Sequence, residues 1–239
     1  MQALILSAGQ GTRLYPLTEK TPKVMLKVNG KPMLQHHVEL LKKHGINNIF
    51  INTYAFPQVI MDFFGDGSKF GVRITYSRED TKSSYLGPKL LGSAGALHNF
   101  KSQIVDDLLV LYGDVYTDID VSKLIKTHFD RVSMFTTVVH ESSHPHDSDL
   151  VVFDKKTHKV TEWVTKPHEL NRGFSNAGLY IFNKKMLNYL PSKVPADFAH
   201  DFIPLLVKEG LVSAYVTEDF MMDMGTPERY NKLISLRTS

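Results

Sequence analysis

The chain of 239 residues contains no cysteine. That absence excludes disulfides, thiolate metal sites and thiol nucleophiles. Tryptophan occurs once, at Trp163. No apolar run approaches the roughly 18–20 residues that a membrane helix needs. The opening ALIL follows no basic stretch and is too short for an export segment, so a cytoplasmic protein with no membrane partner is expected. Charge of one sign is also scarce: 28 Lys and Arg against 25 Asp and Glu leave a net charge of +3. The densest basic stretch, residues 20–31, is interleaved with Pro, Val, Met and Leu. Such a pattern suits a pocket for a phosphorylated small molecule and not a nucleic-acid groove, so no nucleic-acid partner is expected. At 42% apolar and 22% charged, with no internal repeat or low-complexity segment, the chain is long enough for a well-buried core.

The most informative stretch present is 6–34, LSAGQGTRLYPLTEKTPKVMLKVNGKPML. Its small residues, Ser7, Ala8, Gly9 and Gly11, let backbone N–H groups approach an anion with no Cβ in the way. Arg13 and Lys23 supply positive charge of the kind a triphosphate needs. The stretch is not a Walker loop, because no Gly-Lys-Ser/Thr closes it. It is not a dinucleotide fingerprint either, since the third glycine of GxGxxG would fall at Leu14.

Around this loop the first half alternates apolar runs with amphipathic stretches, which predicts a parallel α/β sheet. Strands are expected at 3–6, 48–52, 72–76 and 107–112, with helices at 33–43, 57–64 and 94–100. The second half predicts strands at 133–139, 150–153, 159–164, 174–182 and 212–216, and helices at 184–190, 199–209 and 227–236. We expect one α/β domain over 1–239, a Rossmann-like doubly wound mixed sheet with an added β-meander. Two halves are expected within it, 1–115 and 116–239, with ligands at the carboxyl ends of the strands.

Two aspartates stand in turn-forming contexts. Asp114 closes the run LVLYGD, and Asp223 precedes Gly225-Thr226-Pro227. Read alone, each is equally well a turn residue. The histidine pairs His36-His37 and His144 with His146 read as solvent-facing groups and not as zinc ligands. Trp163 reads as a packing residue.

The string GxGTRLxPLTxxxPKxMLxVxGKPML resembles the signature of the sugar-1-phosphate nucleotidyltransferases, or nucleotide-sugar pyrophosphorylases, with a lean toward the short mannose-1-phosphate guanylyltransferases. The later GD, GSAGAL, NAG and DxGTP motifs fit the same family in order. The resemblance implies catalytic roles for Arg13 and Lys23, and a nucleotide site formed by Leu6, Ala8, Gly9, Gly11, Thr12, Gly92 and Gly95. It further implies sugar-phosphate binding by Lys166, Asn176 and Gly178, and a Mg²⁺ ion held by Asp114 and Asp223. The implied reaction joins an NTP, served mainly by 1–115, and a sugar 1-phosphate, served mainly by 116–239, with a homodimer as the expected assembly. Thr165 departs from the pattern, which has glutamate before the lysine, and 80–91 is longer and more polar than a minimal member requires. Other bases, phosphocholine as acceptor and a non-catalytic sugar-nucleotide sensor all stay open. Neither base nor acceptor can be derived from spacing. The sequence shows no hexapeptide repeat, so no fused acyltransferase is expected.

Overall fold

The computed structural model describes residues 1–81, 87, 89–142, 145–166, 169–170 and 172–237. Its first apolar run forms strand Gln2–Ser7, with Ala3, Leu4 and Ile5 fully buried. Strand Asn48–Thr53 lies parallel to it, Leu4 opposite Phe50 and Leu6 opposite Asn52. Strand Arg73–Arg78 extends the same parallel set from the other side of Asn48–Thr53. These three belong to one of two compact units, which comprises 1–90, 111–119 and 220–239. Helix Met33–Lys43 presents Met33, Leu34, Val38 and Leu41 as its buried face, and the chain leaves it through Gly45 at φ +77°.

The other unit comprises 91–110 and 120–219. Strand Phe174–Phe182 runs antiparallel to both Phe135–Glu141 and Leu150–Phe153, and Val212–Val216 lies parallel to Phe135–Glu141. Strand Val160–Val164 pairs antiparallel with Leu150–Phe153, which completes the expected meander. An aromatic core of Phe135, Tyr180, Phe182, Phe198 and Phe202 fills this unit, the Phe135 and Phe182 rings stacked at 5.5 Å. The fold is α/β and Rossmann-like, with a mixed sheet.

Several elements depart from the predicted ones. Residues Gly95–Asn99 and Lys184–Tyr189 form 3-10 turns, and Phe198–Phe202 opens with π-type turns before helix Ile203–Lys208. In each case the apolar spacing fits a helix of any pitch over one or two turns. Helix Val121–Asp130, capped by the Asp120 carboxylate on Lys123 N–H at 3.0 Å, was not predicted.

Gly113 shows why the run before Asp114 ends as it does. A Cβ there would lie 2.7 Å from the Leu6 carbonyl oxygen and 2.9 Å from Val24 Cγ1. The close approach lets Gly113 N–H donate to that same carbonyl at 2.9 Å. Gly113→Ala is expected to push the 113–114 corner away from strand Gln2–Ser7 and to destabilise the protein by about 1–3 kcal/mol, as overpacked sites do. Urea unfolding midpoints of the two proteins check this, and equal midpoints would refute it.

The expectation that His36 and His37 face solvent fails for His37, which is 2% exposed. It occupies the buried face of helix Met33–Lys43 with Met33, Leu34, Val38 and Leu41. His128 is 1% exposed, its Nδ1 bonded to Thr136 Oγ1 at 2.7 Å. Burial lowers the pKa of each from 6.5 to about 4. An unfolded imidazole takes up its proton near pH 6.5 and the folded one only near 4. Stability is therefore full above the unfolded value and is lost as pH falls toward the folded one. Between about pH 7.5 and 5 each histidine should cost about 2 kcal/mol of stability. A urea midpoint that does not fall over that interval would contradict this assignment.

Candidate active site

Leu14 organises the glycine-rich loop. Its side chain enters an apolar cluster with Leu26, Val28, Met33, Met224, Tyr230 and Leu233. The loop, the hairpin of Lys27–Val28 with Lys31–Pro32, and helix Pro227–Arg237 are thereby packed together, with Tyr230 Oη donating to the Lys27 carbonyl at 2.9 Å. The anchored leucine holds Thr12–Leu14 as a short 3-10 turn that starts from Gly11 at φ +69°, leaving Thr12 and Arg13 exposed. The Gly11 carbonyl accepts from Thr18 Oγ1 at 2.8 Å and from Leu14 N–H at 3.0 Å. Ala8 is buried and Gly9 exposed, and a Cβ at Gly9 would meet nothing within 4 Å.

The two aspartates come together through a pairing of short strands, Val115–Thr117 with Met221–Asp223. Asp223 stands opposite Val115, and Met224 N–H donates to the Asp114 carbonyl at 2.9 Å. Each carboxylate has a cation. Lys23, 8% exposed, places Nζ on Asp114 Oδ2 in an ion pair. Arg229 Nη1 sits between both oxygens of Asp223, at 3.1 and 2.9 Å. Gly225 N–H adds a bond to Asp223 Oδ1 at 2.8 Å. A Cβ at Gly225 would lie 3.7 Å from Arg13 Nη2, so Arg13 reaches the same corner. Arg13 itself makes no hydrogen bond or ion pair through its side chain among the described residues. The corner therefore holds two neutralised carboxylates and one unneutralised guanidinium, an arrangement that attracts a polyanion.

Behind the loop lies a buried polar chain that sequence reading missed. Ser7 N–H donates to Asn52 Oδ1 at 2.8 Å, and Asn52 Nδ2 donates to Glu79 Oε1 at 2.8 Å, with Glu79 fully buried. The available signal was Asn52, a polar residue at the end of an apolar strand. Arg229 was missed as well, although its place four residues after Gly225 in the last helix was visible.

The second unit holds the remaining predicted positions. Lys166 donates its main-chain N–H to Asp149 Oδ1 at 3.1 Å and its Nζ to the Asp147 carbonyl at 3.2 Å. Asn176 turns its side chain onto its own strand, Oδ1 accepting from Gly178 N–H at 3.2 Å and Nδ2 donating to Tyr180 Oη at 2.9 Å. Gly178, at φ +69°, sits in the irregular register between Asn176 and Tyr180. Gly92 and Gly95 pack on Ala196, whose carbonyl accepts from Ala94 N–H and Gly95 N–H at 3.0 and 3.1 Å. His144, Pro167 and positions 82–86 and 88 of the polar 80–91 segment lie outside the described residues.

Among the described residues no three His, Asp or Glu side chains gather as a metal cluster. No helix among them is long and apolar enough to cross a membrane.

A family model described as nucleotidyl transferase matches residues 2–238. The chain is 34% identical to a UTP–glucose-1-phosphate uridylyltransferase of Synechocystis, over 96% of this chain and 61% of that protein. It is 28% identical to a mannose-1-phosphate guanylyltransferase of Mycobacterium tuberculosis, over 96% of this chain and 62% of that protein. The chain thus spans about three-fifths of the length of these relatives. Among solved structures it resembles HddC from Yersinia pseudotuberculosis complexed with GMP-PN, with a TM-score of 0.79, 27% identity and 98% of both chains covered.

Proposed function

The chain belongs to the nucleotidyl transferase family, and we propose that it transfers a nucleotidyl group from an NTP to a sugar 1-phosphate, with GTP and mannose 1-phosphate or a related sugar as the substrates. The observation that carries this reading is the corner where Arg13, unpaired among the described residues, stands beside the Lys23–Asp114 and Arg229–Asp223 pairs.

In this reading Arg13 and Lys23 hold the triphosphate, with Leu6, Ala8, Gly9, Gly11 and Thr12 offering a backbone that a phosphate can approach closely. Lys166 releases the Asp147 carbonyl and takes the acceptor's phosphate. An oxygen of that phosphate forms a bond to the α-phosphorus while the bond to the pyrophosphate oxygen breaks. No covalent enzyme intermediate forms. The side chains act by positioning and by offsetting charge, in a reaction whose transition state spreads charge over phosphoryl oxygens.

The donor set at the corner suits Mg²⁺, which favours hard oxygens and is commonly held by one or two carboxylates together with substrate phosphates. Asp114 and Asp223 would hold the ion, and when bound it would supply charge neutralisation between the two phosphate groups. Lys23 and Arg229 now lie on the oxygens that the ion would take, so both cations are expected to turn toward phosphate when substrate arrives.

A second reading, uridylyl transfer to glucose 1-phosphate, is favoured by the similarity to the Synechocystis relative. Incubation of the protein with GTP or UTP and each of the two sugar phosphates, followed by identification of the sugar nucleotide, separates the readings. GDP-mannose as the main product supports the first, and UDP-glucose replaces it with the second.

A further inference from the structure

Asp149 stands where two acceptor-side positions meet. Its carbonyl accepts from Asn176 N–H at 2.9 Å, and its Oδ1 accepts from Lys166 N–H at 3.1 Å. Its side chain is 12% exposed, yet its Oδ2 accepts no hydrogen bond among the described residues. The half-exposed His200 ring keeps Nε2 4.0 Å from Oδ1. A carboxylate this far withdrawn from water ordinarily receives more donors, because burying an ionised oxygen unmet is unfavourable.

The lysine beside it adds a measure of distance. Lys166 is tied by its main chain to Asp149 and by its ammonium to Asp147. One lysine thus joins the carboxylate, through its main chain, to an ammonium at its side-chain end. A sugar 1-phosphate likewise carries a phosphate and ring hydroxyls on one small ring. The residue before Lys166 is Thr165, so the local sequence places no carboxylate there. Asp149 supplies one from the residue before strand Leu150–Phe153.

We propose that Asp149 is a specificity-determining residue, its carboxylate accepting a hydrogen bond from a ring hydroxyl of the acceptor whose phosphate Lys166 holds. This rests on the reading of Lys166 as the acceptor-phosphate ligand. It selects a polyol phosphate over acceptors that lack a hydroxyl at that distance, phosphocholine included. Asn176 N–H and Lys166 N–H hold the residue, so the carboxylate is fixed before the acceptor arrives, and a preset acceptor discriminates strongly against a missing hydroxyl.

The test is a cycle of protein and acceptor variants. The unaltered protein, Asp149→Ala, Asp149→Asn and Lys166→Ala are assayed with mannose 1-phosphate, glucose 1-phosphate and the monodeoxy derivatives of each, and with phosphocholine. The unaltered protein is expected to prefer the parent sugar over one deoxy derivative by about 10- to 100-fold in kcat/KM. Asp149→Ala should lose that preference while the KM for the NTP stays within about 3-fold. Asp149→Asn keeps an acceptor for Lys166 N–H, so it carries the test if the alanine variant does not fold. It should lose most of the preference, since a neutral acceptor bonds about half as strongly as a charged one. A preference ratio unchanged in both variants, with equal losses on all acceptors, overturns the proposal and leaves Asp149 a purely structural residue. Phosphocholine turned over faster than every sugar phosphate also overturns it. An acceptor KM unmoved in Lys166→Ala refutes the reading of that lysine and this inference with it.

Discussion

Lys23→Ala is expected to lower kcat by roughly 10²–10⁴-fold, the range found when a preset group facing a transferring phosphoryl or an oxyanion is removed. The size of the effect follows from where the lysine is held. Its side chain is nearly buried, and Gly11 packs on it closely enough that a Cβ at Gly11 would lie 3.3 Å from Lys23 Cβ. A cation so confined has little freedom to lose when it meets a phosphate. Lys23→Arg is not a conservative rescue, because a planar guanidinium needs room that this position lacks. Alanine also leaves Asp114 without its cation. That carboxylate is 30% exposed in its side chain, so water can solvate it and the fold should persist. Circular dichroism and unfolding midpoints near those of the unaltered protein are therefore expected beside the loss of turnover. Near-normal turnover in the alanine variant would refute the assigned role.

Asp223→Asn should have an effect of similar size by another route. The amide keeps an oxygen for Gly225 N–H, so the turn before helix Pro227–Arg237 should survive. The charge that would hold the metal, and that now pairs with Arg229, is lost. A drop of about 10²–10³-fold in kcat is expected, with a raised Mg²⁺ requirement, because one of two hard anionic ligands is gone. Binding of Mn²⁺ to the protein without nucleotide, followed by its electron paramagnetic resonance signal, gives a readout apart from turnover. Equal Mn²⁺ binding in Asp223→Asn and the unaltered protein would contradict the metal role. The double variant Asp114→Asn/Asp223→Asn should lose little more than either single one, since ligands of one ion act as a unit.

Much of the fold was legible because buried parallel strands are apolar throughout. Residues 3–6 announced themselves in this way, while 48–52 and 72–76 showed a shorter apolar stretch and an apolar alternation, and strands Gln2–Ser7, Asn48–Thr53 and Arg73–Arg78 contain or overlap them. Helix Val121–Asp130 was missed although Asp120 as its cap and Val121, Leu124 and His128 on its buried face gave a helical pattern. The short ladder of Val115–Thr117 with Met221–Asp223 was not legible at all. Three-residue strands carry no periodicity, and their pairing depends on contacts across a hundred intervening positions. That ladder is what seats the two aspartates side by side, so motif reading named the residues without showing how they meet. Loop anchoring by Leu14 is similar: its apolar character was visible, but its partners Met224, Tyr230 and Leu233 lie at the far end of the chain. Likewise Arg229 and Asp149 could be recognised as charged groups, while the carboxylate or main-chain group that each one meets needed the structure.

The reaction itself is tested most directly by pyrophosphate release. The protein with Mg²⁺ is given each of GTP, UTP, CTP and dTTP, with and without a panel of sugar 1-phosphates and phosphocholine. Release that requires both an NTP and a sugar 1-phosphate, strongest with GTP and mannose 1-phosphate, is the expected result. No acceptor-dependent release with any pair would contradict the assignment and point to a protein that binds sugar nucleotides without making them.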